Sequence, residues 1–146
     1  MATPYELLCD QISTDVSTLV PPELTTITYS RIDDEEIDWG LTADRCFYFE
    51  WLTSIVQSSK GITRFDLRES FNLVVNVKGA RKNVETWDYG LRNEAVLIMN
   101  KINSRSGWPV GVHGVTCENI DIRMSPNEED AQIVLKCRFL SFNTPP

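Results

Sequence analysis

Apolar residues recur in this chain with two different periods, and the switches between them divide it into elements. Tyr5, Leu8, Ile12, Val16 and Leu19 stand three or four apart, which is the spacing of one helix face. Ahead of them Thr3, Pro4 and Glu6 read as an N-cap, a first-turn proline and a capping-box acid, and Pro21-Pro22 stops the run. Residues 25 to 32, with Ile27 and Tyr29 among β-branched neighbours, read as a short strand. The period then becomes two. Phe47, Phe49, Trp51 and Ile55 share one parity between Arg45 and Val56, and Phe65, Leu67, Phe71, Leu73, Val75 and Val77 share it between Thr63 and Lys78. Ser58-Ser59-Lys60-Gly61 lies between the two runs. That turn chemistry predicts a hairpin centred on Lys60, with Phe49 opposite Phe71 and Phe47 opposite Leu73.

Extended, residues 63 to 78 would span about 50 Å at about 3.3 Å each, whereas a globule of this length has a radius of gyration near ~15 Å. The hairpin is therefore expected either to break near Glu69 and Ser70, where the alternation lapses, or to project as an arm that needs a partner. Its tip residues Gln57, Ser58, Ser59, Lys60, Gly61, Arg64 and Arg68 are the expected assembly interface. Beyond it, Asn83 to Thr86 offer caps for a second helix striped by Trp87, Leu91, Ala95, Ile98 and Ile102, which Arg105 and Gly107 close. A loop with glycines and Pro109 is expected up to Gly114. Ile120, Ile122 and Met124, then Ile133, Leu135, Cys137 and Phe139, alternate with polar residues such as Lys136 and Arg138 on either side of the polar turn Ser125 to Asp130. This predicts an antiparallel C-terminal hairpin. The order implies a single α+β domain over residues 1–146, a mostly antiparallel sheet with two packing helices and a long protruding β-hairpin.

Composition narrows the functions. A chain of 146 residues can bury a core without staples. Cys9, Cys46, Cys117 and Cys137 show no CxxC or Cys/His spacing, so buried free thiols in a reducing cytoplasm are expected, with neither a zinc site nor a redox pair. Met-Ala-Thr-Pro is not followed by a basic and then an apolar run, which predicts neither an export signal nor a membrane span. The net charge of -7 is concentrated, because Asp33, Asp34, Glu35, Glu36, Asp38 and Asp44 put six acids and no base into residues 33 to 44, leaving 15 acids against 14 bases elsewhere. No run of cations offers a grip on nucleic-acid phosphates. The acidic window lacks the alternating ligands and terminal glutamate of a calcium loop, so it reads as a surface for a basic partner or a channel. Arg64, Arg68, Lys78, Arg81 and Lys82 supply one complement. Of the tryptophans, Trp51 and Trp87 are in phase with apolar stripes and are expected in the core, leaving Trp39 and Trp108 as exposed anchors.

Catalytic equipment is not apparent. His113 stands alone in a glycine-flanked loop, and no GxSxG, HExxH, P-loop or GxGxxG sequence occurs. Gly107, Gly111 and Gly114 follow a helix and lack a phosphate-binding lysine. No cofactor or metal is implied, and the expectation is a non-enzymatic protein that acts through its surfaces.

The order of elements, with the strand Ser70 to Lys78, a helix, and a terminal hairpin ending in Ala131-Gln132-Ile133-Val134-Leu135-Lys136-Cys137-Arg138-Phe139, resembles the tail terminator, or tail-completion, proteins of tailed bacteriophages. That resemblance implies a virion protein of the tail and neck, assembled in the host cytoplasm as a homo-oligomer, a hexameric ring. Such a ring caps the tail tube and touches the tube protein on one side and the neck or connector protein on the other. DNA passes through its lumen without specific binding, and no membrane is involved. Two other classes stay open: a monomeric acidic adaptor, and a small-molecule-binding or enzymatic domain assembling a site from Asp88, Tyr89, Arg92 and His113.

Overall fold

Thr3 starts the first helix as its sequence predicts: its hydroxyl accepts from the Glu6 N–H at 3.2 Å, and the Glu6 carboxylate accepts from the Thr3 N–H at 2.8 Å. Helix α1 (Pro4–Ser17) buries Leu8, Cys9, Ile12 and Val16, and it ends at Thr18, short of the prolines. The computed structural model describes residues 3–21, 27–32, 44–52, 54–59, 65–78, 87–124 and 130–143, with 56–59, 65–66, 87–88 and 142–143 described by backbone alone. Asp33, Asp34, Glu35, Glu36, Asp38 and Trp39 of the acidic window, Lys60, Gly61 and Arg64 of the predicted tip, Arg81, Lys82, the caps Asn83 to Thr86 and the turn 125–129 lie outside the described residues.

The remaining elements are β1 (Ser30–Arg31), β2 (Cys46–Trp51), β3 (Ile55–Ser59), β4 (Phe65–Val77), α2 (Trp87–Asn103), β5 (Val112–Met124) and β6 (Ala131–Asn143). They form one sheet in the order β1-β2-β4-β6-β5, with β3 also paired to β4. Only β1 and β2 run parallel, so the chain is an α+β fold with a mostly antiparallel sheet.

Both helices pack on one face of the sheet. Phe47, Phe49, Phe71, Leu73, Val75, Val77, Ile133, Leu135, Cys137 and Phe139 meet Leu8, Ile12 and Val16 of α1 and Leu91, Ala95, Ile98 and Ile102 of α2. Period two on the strands and period 3.6 on the helices thus converge on one core. At one end Tyr5, Trp51, Phe71 and Phe139 form an aromatic knot, with Tyr5 edge-on to Trp51 at 5.3 Å. Trp51 accordingly is half-buried against the core.

The register differs from the expected one. Phe49 faces Leu73, Phe47 faces Val75, and Trp51 takes the place opposite Phe71. At the tip end Ser59 faces Phe65, four residues beyond the partner that a hairpin centred on Lys60 gives it, and two irregularities in the first strand take back two of the four. Between Trp51↔Phe71 and Ile55↔Arg68 three residues, 52–54, oppose two, Glu69 and Ser70, and a second shift lies between Val56 and Ser58. Each inserts one residue, so the offset from the expected register falls from four to two by β2, an even number that keeps Phe47, Phe49 and Trp51 on the core face. Ile55, one insertion along, is turned to the other face opposite Arg68.

β4 itself runs unbroken through Glu69 and Ser70, where the sequence suggests a break; the irregularity lies in the facing strand, at 52–54. Ser58 and Ser59 belong to strand β3, opposite Asp66 and Phe65, and not to the turn. Nor is β4 an arm of two strands alone: β6 pairs it along its whole length, from Phe65↔Asn143 to Val77↔Ala131. Thirteen residues of strand reach about 43 Å, while the seventeen of α2 reach about 26 Å. At the other edge β5 begins at Val112, within the expected loop, because Gly111 and Gly114 at φ 90° and 62° let the chain bend into the strand. His113 is therefore a strand residue.

Candidate assembly surface

The face of the sheet away from the helices has two halves. Near β1 it is closed: Tyr48, Val74 and Val134 form a second cluster against Ile32. Beside them Gln132 Nε2 donates to Asn76 Oδ1 at 3.0 Å, and Asn76 Nδ2 donates toward Cys46 Sγ at 3.5 Å, so the buried amides there are satisfied. Towards β3 the face is open. Cross-strand pairing sets Ile55, Arg68, Leu140 and His113 in one row, and Ser70, Arg138 and Thr116 in the next. Asn72 and Lys136 follow, with Glu50 and Asn119 at the ends. Ile55 is 54% exposed, and Leu52, at the strand break, is 38% exposed. Arg68, Lys136, Arg138, Thr116 and Asn119 are all exposed, and Arg138 holds Glu118 at 3.0 Å. The result is an apolar and basic patch on the outer face of the sheet.

Of the residues expected at the interface, Arg68 sits in the middle of this patch. Gln57, Ser58 and Ser59 are on β3 beside it. The alternation of Lys136 and Arg138 was visible in the sequence as an outward parity. Ile55 was not, because its outward turn depends on the inserted residue at 52–54. Trp108, expected as an exposed anchor, is half-buried: it packs on the core under the Arg105 guanidinium, 5.3 Å from its ring centroid. Lys78, a proposed complement to the acidic window, holds Asp130 at 3.2 Å.

The fold's strongest electrostatic feature is internal. Arg45 Nε and Nη2 donate to the two Glu94 oxygens at 2.7 and 2.9 Å, Tyr29 donates to Glu94 Oε1 at 2.5 Å, and Asp44 accepts from Arg45 Nη1 at 2.8 Å. Arg45, Glu94 and Tyr29 are all buried. Burial and then the Glu94 carboxylate push the Tyr29 phenol up, out of reach of neutral pH. Burial disfavours the Arg45 charge, but Glu94 and Asp44 more than offset it and leave the guanidinium held charged. Arg45 adopts φ 59°, a left-handed backbone that costs an arginine about 1–3 kcal/mol. This network pins the end of the acidic window, at Asp44, to α2. It is a clamp: Arg45, Glu94 and Tyr29 hold one another inside the protein, and Asp44 also accepts from the Lys78 N–H at 3.0 Å.

A second buried carboxylate, Glu69, accepts from Tyr5 at 3.0 Å and from Ser54 at 2.5 Å, tying the start of α1 to the strand break. The open cleft of about 410 Å³ lined by Asp15, Lys101, Ser104, Arg105, Ser106 and Gly107 is crossed by the Arg105–Asp15 ion pair at 2.5 Å. Tyr89 and Arg92 are exposed at the start of α2, with about 16 Å of helix between Arg92 and Asn103, whose side chain bonds the backbone of β5 at Cys117. His113 is on the sheet face, and these three are not gathered into one pocket; the side chain of Asp88 is outside the described residues. Among the described residues no three metal-ligating side chains cluster, and no helix is long and apolar enough to cross a membrane.

No family model matches the chain, and no curated protein matches it. Among solved structures it is similar to a chain in the virion of a native gene transfer agent particle, at 14% sequence identity and a TM-score of 0.45, over 66% of this chain and 69% of that one. A likeness of that size is too slight to assign a shared fold.

Proposed function

We propose that this chain is a structural protein of a phage-type virion, a tail-terminator-like subunit that assembles into a ring over the tail tube and joins it to the neck, with DNA passing through the lumen. The observation that carries this reading is the open half of the outer sheet face, where Ile55, Leu52 and Leu140 stand beside Arg68, Lys136 and Arg138. A monomer gains nothing by leaving apolar side chains on a flat sheet, whereas a neighbouring subunit can cover them. The patch carries Arg68, Lys136 and Arg138, while residues 33 to 44 of the sequence carry six acids and no base. Complementary surfaces of that kind pair head to tail, and head-to-tail contacts close into rings when the rotation closes. The order of elements supports the same class of assembly. A net charge of -7 fits a channel that lets DNA slide without sticking.

Electron micrographs of the purified protein at rising concentration test the proposal. Discrete rings with an open centre are expected. Single small particles at every concentration, the outcome for a monomeric adaptor, contradict it, and so do open filaments.

A further inference from the structure

Two thiols that are 20 positions apart in sequence meet across the β5–β6 ladder. Cys117 and Cys137 are direct partners, both turned to the core and both buried. Their position in the ladder can be read from Asn103, which donates to the Cys117 carbonyl at 3.1 Å and accepts from the Cys117 N–H at 2.8 Å. Both backbone groups of Cys117 therefore point away from β6, and the pair is a non-hydrogen-bonded one, the type in which Cα atoms stand about 4.5 Å apart and side chains are closest. That spacing lies within the range of about 4.4–6.8 Å that a disulfide spans.

The two sulfurs already interact. Hydrogen bonding from Cys137 draws the Cys117 thiol below its ordinary range against the effect of burial, and the same bond together with burial holds Cys137 well above it. Cys117 lies on edge strand β5 between two register shifts, one between His113 and Thr116 and one between Cys117 and Asn119, so the ladder is interrupted on both sides of it.

We propose that Cys117 and Cys137 form an oxidisable dithiol site that closes to a cross-strand disulfide by exchange with a low-molecular-weight disulfide. The Cys117 thiolate attacks one sulfur of the small disulfide, whose S–S bond breaks and releases the first thiolate. Cys137, deprotonated, then attacks the Cys117 sulfur of the mixed disulfide and releases the second. The protein loses two electrons and two protons, and the small disulfide gains both as two thiols. The product ties edge strand β5 to the centre of the sheet. It is independent of the assembly surface.

The test uses the whole folded protein with oxidised glutathione at about pH 8, followed by alkylation of the remaining thiols and peptide mapping. Two of the four thiols should become protected, with one peptide link joining Cys117 to Cys137. The melting midpoint should rise by roughly 6–12 °C, reversibly with reductant, as closing a loop of this length predicts. Cys117→Ala and Cys137→Ala should each abolish the link, while Cys9→Ala and Cys46→Ala leave it. Should either core variant fail to fold, the map of the unaltered protein still decides. Four free thiols persisting in the folded protein while a denatured sample oxidises would overturn the proposal. A link to Cys9 or Cys46, or one between chains, would overturn it equally.

Discussion

Arg45 shows how much of this fold rests on one polar contact that no local pattern announces. Nothing at Asp44-Arg45-Cys46 signals a left-handed residue, since glycine or asparagine is the usual mark. The position is held by Glu94, distant in the chain, through two charged hydrogen bonds inside the protein. Removing one partner leaves the other charged and buried, so Glu94→Ala should cost about 3–5 kcal/mol in urea unfolding. Arg45→Lys should fall short of the unaltered protein too, because an ammonium cannot donate in the same fork. A double variant with apolar replacements, Arg45→Met with Glu94→Leu, should lose less than the two single losses combined. By contrast the Thr3–Glu6 cap was legible in four consecutive residues, because its chemistry is local. Cys9 supplies a pH signature. Burial pushes its thiol up to about 11, above the ordinary thiol value of 9.0. The unfolded chain therefore gives up this proton first, and the folded state loses stability as pH climbs from about 9 towards about 11. The unfolding midpoint should fall across that window by roughly 1 kcal/mol of stability per pH unit at most from this group. Cys9→Ala should flatten part of the fall, and an unchanged slope in that variant would exclude Cys9 as its source.

Helices and strands were the most readable parts of the chain, for a physical reason. The stripe Leu91, Ala95, Ile98 and Ile102 and the parity of Phe71, Leu73, Val75 and Val77 are direct records of which side faces the core, and all eight side chains are buried. Bulges leave no such record. The inserted residues at 52–54 and at 57 are ordinary in composition, yet they move the register by two and turn Ile55 outward. The same holds for β5, where glycine bends extend a strand into what reads as a loop. These placements predict opposite outcomes for two apolar residues of neighbouring strands. Phe71→Ala, in the aromatic knot, should cost about 3–5 kcal/mol, whereas Ile55→Lys should stay within about 0.5 kcal/mol. Equal losses at the two sites in denaturant titrations would mean that the break at 52–54 does not turn the strand.

The assembled surface is legible only when distant segments are put side by side. Arg68, Arg138 and Lys136 come from the two central strands, and Ile55 joins them from a third. In sequence they are separate polar or apolar positions; in the sheet they form one patch on the face away from the helices. The long run from Thr63 to Lys78 did point to one long strand, but β6 accompanies it throughout, so the projecting two-stranded arm expected from the sequence is not what the sheet shows. The central claim is that this open sheet face holds copies of the chain together. Sedimentation of the unaltered protein beside an Ile55→Asp/Arg68→Glu variant, each over a wide concentration range, tests it most directly. The account predicts that the unaltered chain gathers into one closed species as concentration rises, while the variant stays monomeric with the same unfolding midpoint. A variant that assembles as well as the unaltered chain, or an unaltered chain that stays monomeric throughout, would contradict it.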